Sequence, residues 1–328
     1  MMNLPAAICL FPLVFSALAV PFRASADSFE LDSLERESSG EPAVGIGSDR
    51  AVNLALSSLP GVKIGFVQGF TFPFLRGGSV LTADNNFRTT LTAEVSPVSA
   101  NGIVEGILTP IAFLQVAAGF RIGTGWNITL FGSDLYGIGI NRSGAGGKAE
   151  TTGSAFDGVQ WKAHFGGALQ FDMAAVFPGD WNHVVFRSYH EINYKGYSAA
   201  SKSDSWFFEN DGGENRNGFN YYGNFLAGYQ MPFFFNMAAV LVEMDKFLYD
   251  TPGRDSWGDD LVRWTFSAVF NFTVTDRIGA VLIPQWRTVR NYTGSDSDTF
   301  YQNRSLDRAH PLRFEFYRVA AILTFKLP

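Results

Sequence analysis

Residues 262–274 read Val262-Arg263-Trp264-Thr265-Phe266-Ser267-Ala268-Val269-Phe270-Asn271-Phe272-Thr273-Val274. One face of this segment, taken as a strand, carries Val262, Trp264, Phe266, Ala268, Phe270, Phe272 and Val274. The other carries Arg263, Thr265, Ser267, Val269, Asn271 and Thr273. Alternation over this length exceeds the ~5–6 residues of an ordinary soluble strand. A tilted strand that crosses a bilayer needs ~9–11 residues, so the segment reads as one strand with lipid on its aromatic side.

The end of the chain repeats the pattern. Tyr317, Val319, Ala321, Leu323 and Phe325 alternate with Arg318, Ala320, Ile322, Thr324 and Lys326. At ~3.3 Å per residue and ~40° tilt, Tyr317 and Phe325 stand ~20 Å apart along the membrane normal, close to the separation of two aromatic girdles. Val159–Phe171, Phe219–Tyr229, Ala238–Met244 and Ile278–Trp286 alternate in the same way. The expected lipid-facing girdle is Trp161, Phe171, Trp264, Phe272, Trp286, Tyr317 and Phe325.

Extended along the chain, this reading gives strands at 51–58, 62–72, 87–95, 102–108, 111–124, 158–172, 183–197, 217–230, 237–248, 260–274, 277–291 and 312–326. The fold class is all-β: a single transmembrane antiparallel up-and-down β-barrel of about twelve strands, an even number being the rule for bacterial barrels. In the second half, short turns (178–180, 231–236, 275–276) alternate with long polar loops (127–157, 198–216, 249–259, 292–311). Between 58 and 111 that alternation fails, which leaves ten or fourteen strands open.

The first 26 residues read as a signal peptide. Leu4 to Val20 is apolar, and Ala24-Ser25-Ala26 is a small-residue cleavage pattern, although Met1-Met2-Asn3 carries no positive charge. An uncleaved N-terminal helix is the alternative, and Pro5 and Pro12 speak against it. Residues 27–50 do not alternate. Asp27, Glu30, Asp32, Glu35, Glu37, Glu41 and Asp49 outnumber Arg36 and Arg50, so an acidic periplasmic lead-in is expected, with a plug inside the barrel as the alternative. Residues 51–328 form the barrel. The only cysteine, Cys9, lies in the leader, so disulfides, thiol chemistry and cysteine-bound metal are excluded beyond it. Residues 27–328 keep 24 Lys and Arg against 31 Asp and Glu, a net charge of −7 that argues against nucleic acid.

A soluble β-sandwich also alternates, but it needs strands of ordinary length and apolar faces packed on a second sheet. With 15% aromatic residues, 32 of them Phe, and mean hydropathy of only +0.04, a sheet with one apolar and one polar face fits better. Lipid is the simpler solvent for that apolar face, because a closed barrel satisfies every backbone polar group.

These patterns resemble bacterial outer-membrane β-barrel proteins over nearly the whole mature chain. Leu108-Thr109-Pro110-Ile111-Ala112-Phe113-Leu114-Gln115, continued by Gly123-Thr124-Gly125-Trp126-Asn127, is similar to segments of spirochaete barrels. The resemblance implies residence in the bacterial outer membrane, contact with its lipid and folding by the barrel-assembly machinery. Many such barrels end on an aromatic residue; here Phe325 is followed by Lys326-Leu327-Pro328.

A search for chemistry leaves no catalytic expectation. Barrel lipases resemble one another in a His-x-Ser arrangement, and His164, His183, His190 and His310 do not match it. Asp259-Asp260 with His310 could imitate a barrel protease, but Asp250 and Asp255 beside them mark a solvated charge cluster. Glu243 and Asp245 share an inward face followed by Lys246, which reads as a salt-bridge network. No His-Glu-x-x-His or phosphate-loop pattern occurs, so neither metal nor cofactor is expected.

The expected pore-lining residues are Arg121, Lys162, Arg187, Glu191, Glu243, Asp245, Arg263, Arg277, Arg287 and Arg318. With Lys63, Arg88, Lys195 and Lys326 the inner face counts eleven basic residues against six acids, the other three being Glu94, Glu105 and Asp172. Charges at this depth need water or one another. The first reading is a porin for small hydrophilic solutes or ions with a weak anion preference; its counterpart is a lumen closed by ion pairs. The second functional reading is a structural or ligand-binding barrel whose outer loops contact an extracellular ligand, with Trp206, Phe207 and Phe208 as contacts.

Overall fold

The computed structural model describes residues 46–328, apart from residues 60, 80, 131–132, 154, 202–203, 210, 249–253 and 295–297. The expected signal peptide and nearly all of the acidic lead-in lie outside the described residues.

Twelve antiparallel strands close into one barrel. They are β1 (Gly47–Ser57), β2 (Gly61–Pro73), β3 (Asn86–Ser96), β4 (Ser99–Ile111), β5 (Leu114–Gly125), β6 (Gln160–Asp172), β7 (Val184–Tyr197), β8 (Gly218–Gln230), β9 (Phe235–Phe247), β10 (Arg263–Thr275), β11 (Ile278–Arg290) and β12 (Leu312–Leu327). Each pairs with its sequence neighbours, and β1 closes on β12 from Arg50↔Leu327 to Ser57↔Ala320. The barrel thus begins at Gly47, four residues before the expected boundary, and Asp49 of that extension bonds Arg88 at 2.9 Å.

Local chemistry sets the strand ends. Ser96 and Ser99 bracket the Pro97-Val98 turn, with their hydroxyls 2.8 Å apart. The Thr275 hydroxyl accepts from the Arg277 and Ile278 amides, pinning the β10–β11 turn. Pro284, which lacks an N–H, sits where the β10–β11 register has no pair between Ser267↔Gln285 and Phe270↔Leu282. One residue later a bulge sets Gln285 opposite Arg318 but Trp286 opposite Phe316, passing over Tyr317.

The wall is apolar outside and polar within. Phe66, Phe120, Phe165, Ile192 and Val240 are exposed, while Asn101, Lys162, Glu191, Asn224 and Gln285 are buried. A water-soluble sandwich has the opposite arrangement, and among the described residues the sheets beside the barrel have only two or three strands. At one end lie the start of β1, the end of β12 and the connections 74–85, 112–113, 173–183, 231–234 and 276–277. The other end holds two tight turns, at 58–60 and 97–98, beside the four long loops. The missing alternation in the first half is therefore a loop at the terminal end, not a change in strand number.

Candidate channel and its constriction

Inside the barrel, charges answer charges. Lys162 on β6 bonds Glu191 on β7 at 2.9 Å, and Glu191 also accepts from Tyr189 (2.8 Å) and Asn193 (2.9 Å). Glu94 on β3 lies 3.5 Å from both Lys63 and Arg121. Arg318 donates to Gln285 at 2.6 Å, and Gln285 donates to Ser267 at 3.0 Å. Tyr222 donates to Glu243 at 2.6 Å, and Arg263 bonds Asp245 at 3.0 Å with its guanidinium over the Phe247 ring. Arg187 lies over Tyr189, and Arg287 reaches Glu315 at 3.0 Å. A carboxylate or cation buried without such a partner would lose most of its hydration with nothing in return.

Nine of the ten expected inner residues therefore face the lumen side. Arg277 does not: it is exposed in the β10–β11 turn at the terminal end, because the strand starts one residue later than the alternation suggested. Of the girdle residues, Trp161, Phe171, Trp264, Phe272, Trp286 and Phe325 lie on the outer face. Tyr317 is a correction. The bulge turns it inward, its ring 4.1 Å from the Arg287 guanidinium and 4.9 Å from that of Arg318, and leaves Phe316 outside.

Three features escaped sequence reasoning. The first is an apolar cluster on the inner wall, including Leu241, Val269, Ile283, Ala320 and Ile322. The second is a strap across the mouth, formed by the β7–β8 loop. Ser205–Phe208 of this loop pairs with Ile138–Ser143, which pairs in turn with Ala149–Thr152, all from connections that fold inward. Trp206, Phe207 and Phe208 are buried here, at 2%, 8% and 3% exposure. They pack within the mouth and cannot be the outer contacts expected of them.

The strap is tied to opposite walls. Glu209 bonds Lys63 of β2 at 3.0 Å and the Ser99 hydroxyl of β4. Glu214 bonds Arg290 of β11 at 2.6 Å and lies 4.0 Å from Arg263 of β10. Glu209 holds a positive φ of 54°, a strained state for a non-glycine residue that these bonds and its amide bond to the Gly137 carbonyl hold in place.

On either side of the strap lies a cavity at the loop end. One, of about 570 Å³, runs between β1–β4 and the strap, past Lys63, Val98, Tyr136, Phe207 and Glu209. The other, of about 510 Å³, is lined by six basic side chains (Lys195, Arg263, Arg287, Arg290, Arg304, Arg313) and five acidic ones (Asp211, Glu214, Glu243, Asp245, Glu315). Beside it Asp259 is buried 3.5 Å from Arg290; burial pushes its carboxyl up to about 6, with Arg290 opposing. Asp260 pairs with Arg308, so the Asp259-Asp260 pair is held by arginines.

The third missed feature is the waist. Arg318, Gln285, Ser267, Leu241, Leu226, Arg187 and Gln170 follow one another in register from β12 round to β6, and none is more than 6% exposed. Each of these side chains is buried on the inner wall of the barrel.

A closed twelve-stranded meander with an apolar exterior and a polar, charged interior defines an outer-membrane β-barrel, the kind of protein that resides in the bacterial outer membrane. No family model and no curated protein matches the chain. Among solved structures it is similar to the KdgM porin (8% identity over 85% of this chain and 99% of that one, TM-score 0.34) and to the NanC porin (9%, 85% and 100%, TM-score 0.40). It is also similar to an anion-selective porin from Comamonas acidovorans (6%, 86% and 99%, TM-score 0.29). Likenesses of this size say nothing of cargo.

Proposed function

We propose that the protein is an outer-membrane channel for small hydrophilic solutes or ions, closed at rest by its inner ion pairs and its strap. The observation that carries this reading is the charged 510 Å³ cavity at the loop end, together with paired polar groups on the inner wall such as Lys162–Glu191 and Arg318–Gln285. A barrel that served only as a scaffold would gain more from an apolar filling, since buried ion pairs often break even or lose against well-packed hydrophobic residues. The excess of one positive charge around the cavity favours anions weakly. Export by the 1–26 signal peptide, insertion by the barrel-assembly machinery and outer-membrane lipid as the surrounding solvent complete this reading. Swelling of proteoliposomes in small neutral sugars tests it. Glu209→Gln with Glu214→Gln frees the strap and raises the swelling rate several-fold; a folded variant as impermeable as empty liposomes overturns it.

A further inference from the structure

The outer face of the barrel should be inert, yet β7 places a polar constellation there. Ser188 and His190 lie two residues apart on the lipid-facing side, and His190, the seventh residue of a fourteen-residue strand, is exposed. The Ser188 hydroxyl is 2.9 Å from His190 Nε2, and the Tyr221 hydroxyl of β8 is 2.5 Å from His190 Nδ1. His190 pairs with Gly167 on one side and Gly223 on the other, and its ring packs on the edge of Phe225, 5.4 Å away. A Cβ on Gly223 would stand 3.3 Å from His190 Nδ1. Ionisable groups facing hydrocarbon are expensive and mark function by default.

A second observation points to the ligand. Ser188 lines a groove of about 730 Å³ on the same surface, walled by Leu169, Phe171, Phe186, Phe225 and Val240. The groove lies on the lipid-facing side, so its available occupant is an acyl chain. We propose that Ser188, His190 and Tyr221 form an ester-reactive site for a membrane glycerolipid whose chain lies in this groove.

With its Nδ1 proton donated to the Tyr221 oxygen, His190 presents Nε2 as a base toward Ser188. Ser188 Oγ attacks the ester carbonyl and its proton passes to Nε2. The carbon–oxygen bond to glycerol breaks, the glycerol oxygen takes that proton, and the acyl group stays on Ser188. Water then attacks the acyl-serine, giving a proton to His190; the fatty acid leaves and Ser188 recovers its proton. Tyr221 is a positioning residue. The backbone amides around Ser188 belong to the β6–β7–β8 ladder, so no oxyanion donor is free and turnover is slow; the covalent adduct is the sharper readout. The Ser-x-His order is the reverse of the His-x-Ser order sought in the sequence.

The test uses the purified barrel in phosphatidylethanolamine–phosphatidylglycerol vesicles with a long-chain alkyl fluorophosphonate, the adduct being located by peptide mass spectrometry. Ser188 acquires the phosphonyl group, Ser188→Ala does not, and His190→Gln slows labelling ~10²-fold or more, as loss of a general base does. Tyr221→Phe slows labelling less and leaves heat resistance unchanged, a split that a purely structural role would not produce. Wild-type barrel that stays heat-resistant and carries no adduct on Ser188 overturns the proposal, as does equal labelling of Ser188→Ala.

Discussion

Lys162 Nζ stands 2.9 Å from Glu191 Oε1 across the β6–β7 pair, and both side chains are buried inside the barrel. The two strands are therefore electrostatically latched. Removing one partner takes from the other, at low exposure, the opposite charge 2.9 Å away. Lys162→Met alone should cost ~3–5 kcal/mol, whereas Lys162→Met with Glu191→Leu should recover most of that loss. Urea unfolding followed by tryptophan fluorescence in lipid vesicles measures both. Equal losses for the single and double variants would show that the two groups do not act as a pair.

The bulge at Tyr317 makes a prediction about sidedness. Beyond the expected leader the chain has no cysteine, so single cysteines report cleanly. Cysteine at 316 should react with a lipid-soluble maleimide, and cysteine at 317 should be protected from it. The unbroken alternation read from the sequence requires the reverse.

That reversal shows where sequence reasoning stops. Twelve strands were legible because each carries a long period-two pattern, and every strand of the barrel falls on an expected one. A bulge adds one residue without any change in composition, so Tyr317 was misplaced, and a strand end that begins one residue later put Arg277 in the turn. The inner apolar cluster was hidden for a related reason. Val240-Leu241-Val242 and Ala320-Ala321-Ile322-Leu323 are apolar on both faces, and a period cannot say which face is which. The strap was unreadable because Glu209 and Glu214 find Lys63 and Arg290 across the barrel, at sequence separations that no local pattern encodes.

Selectivity follows from the second cavity. Arg263→Glu with Arg287→Glu removes two of its six basic groups and adds two acids. The reversal potential in a salt gradient should move from weakly anion-shifted to cation-shifted. An unchanged potential in a folded variant would take these residues out of the permeation path.

On the outer face, Phe270→Arg should destabilise the barrel by ~2–4 kcal/mol if it lies near the bilayer midplane, and should lower assembly accordingly. Heat-modified gel mobility checks this. A normally folded Phe270→Arg variant would contradict the lipid-facing assignment.

The loop end should respond to pH through Asp259. Its carboxyl is raised to about 6 from the usual 3.8, chiefly by burial. Between those values the folded loop holds a proton that the unfolded chain releases, so local stability is greatest at acidic pH and falls as pH rises to about 6. Amide protection factors around residues 256–262 should fall across that window, and Asp259→Asn should flatten the dependence. Protection that rises with pH in the wild type would reverse the sign and reject the cause given.

The most direct test of the channel is single-channel recording in a planar bilayer, comparing wild type with Glu94→Gln, Glu191→Gln. The variant removes the carboxylate that Lys63 and Arg121 share, leaving Lys63 its bond to Glu209, and the carboxylate that Lys162 faces. The account predicts rare, brief openings for the wild type, and long openings with an anion-shifted reversal potential for the variant. A heat-resistant, folded variant that stays silent at every voltage would mean that the lumen is a sealed core, and would contradict the channel.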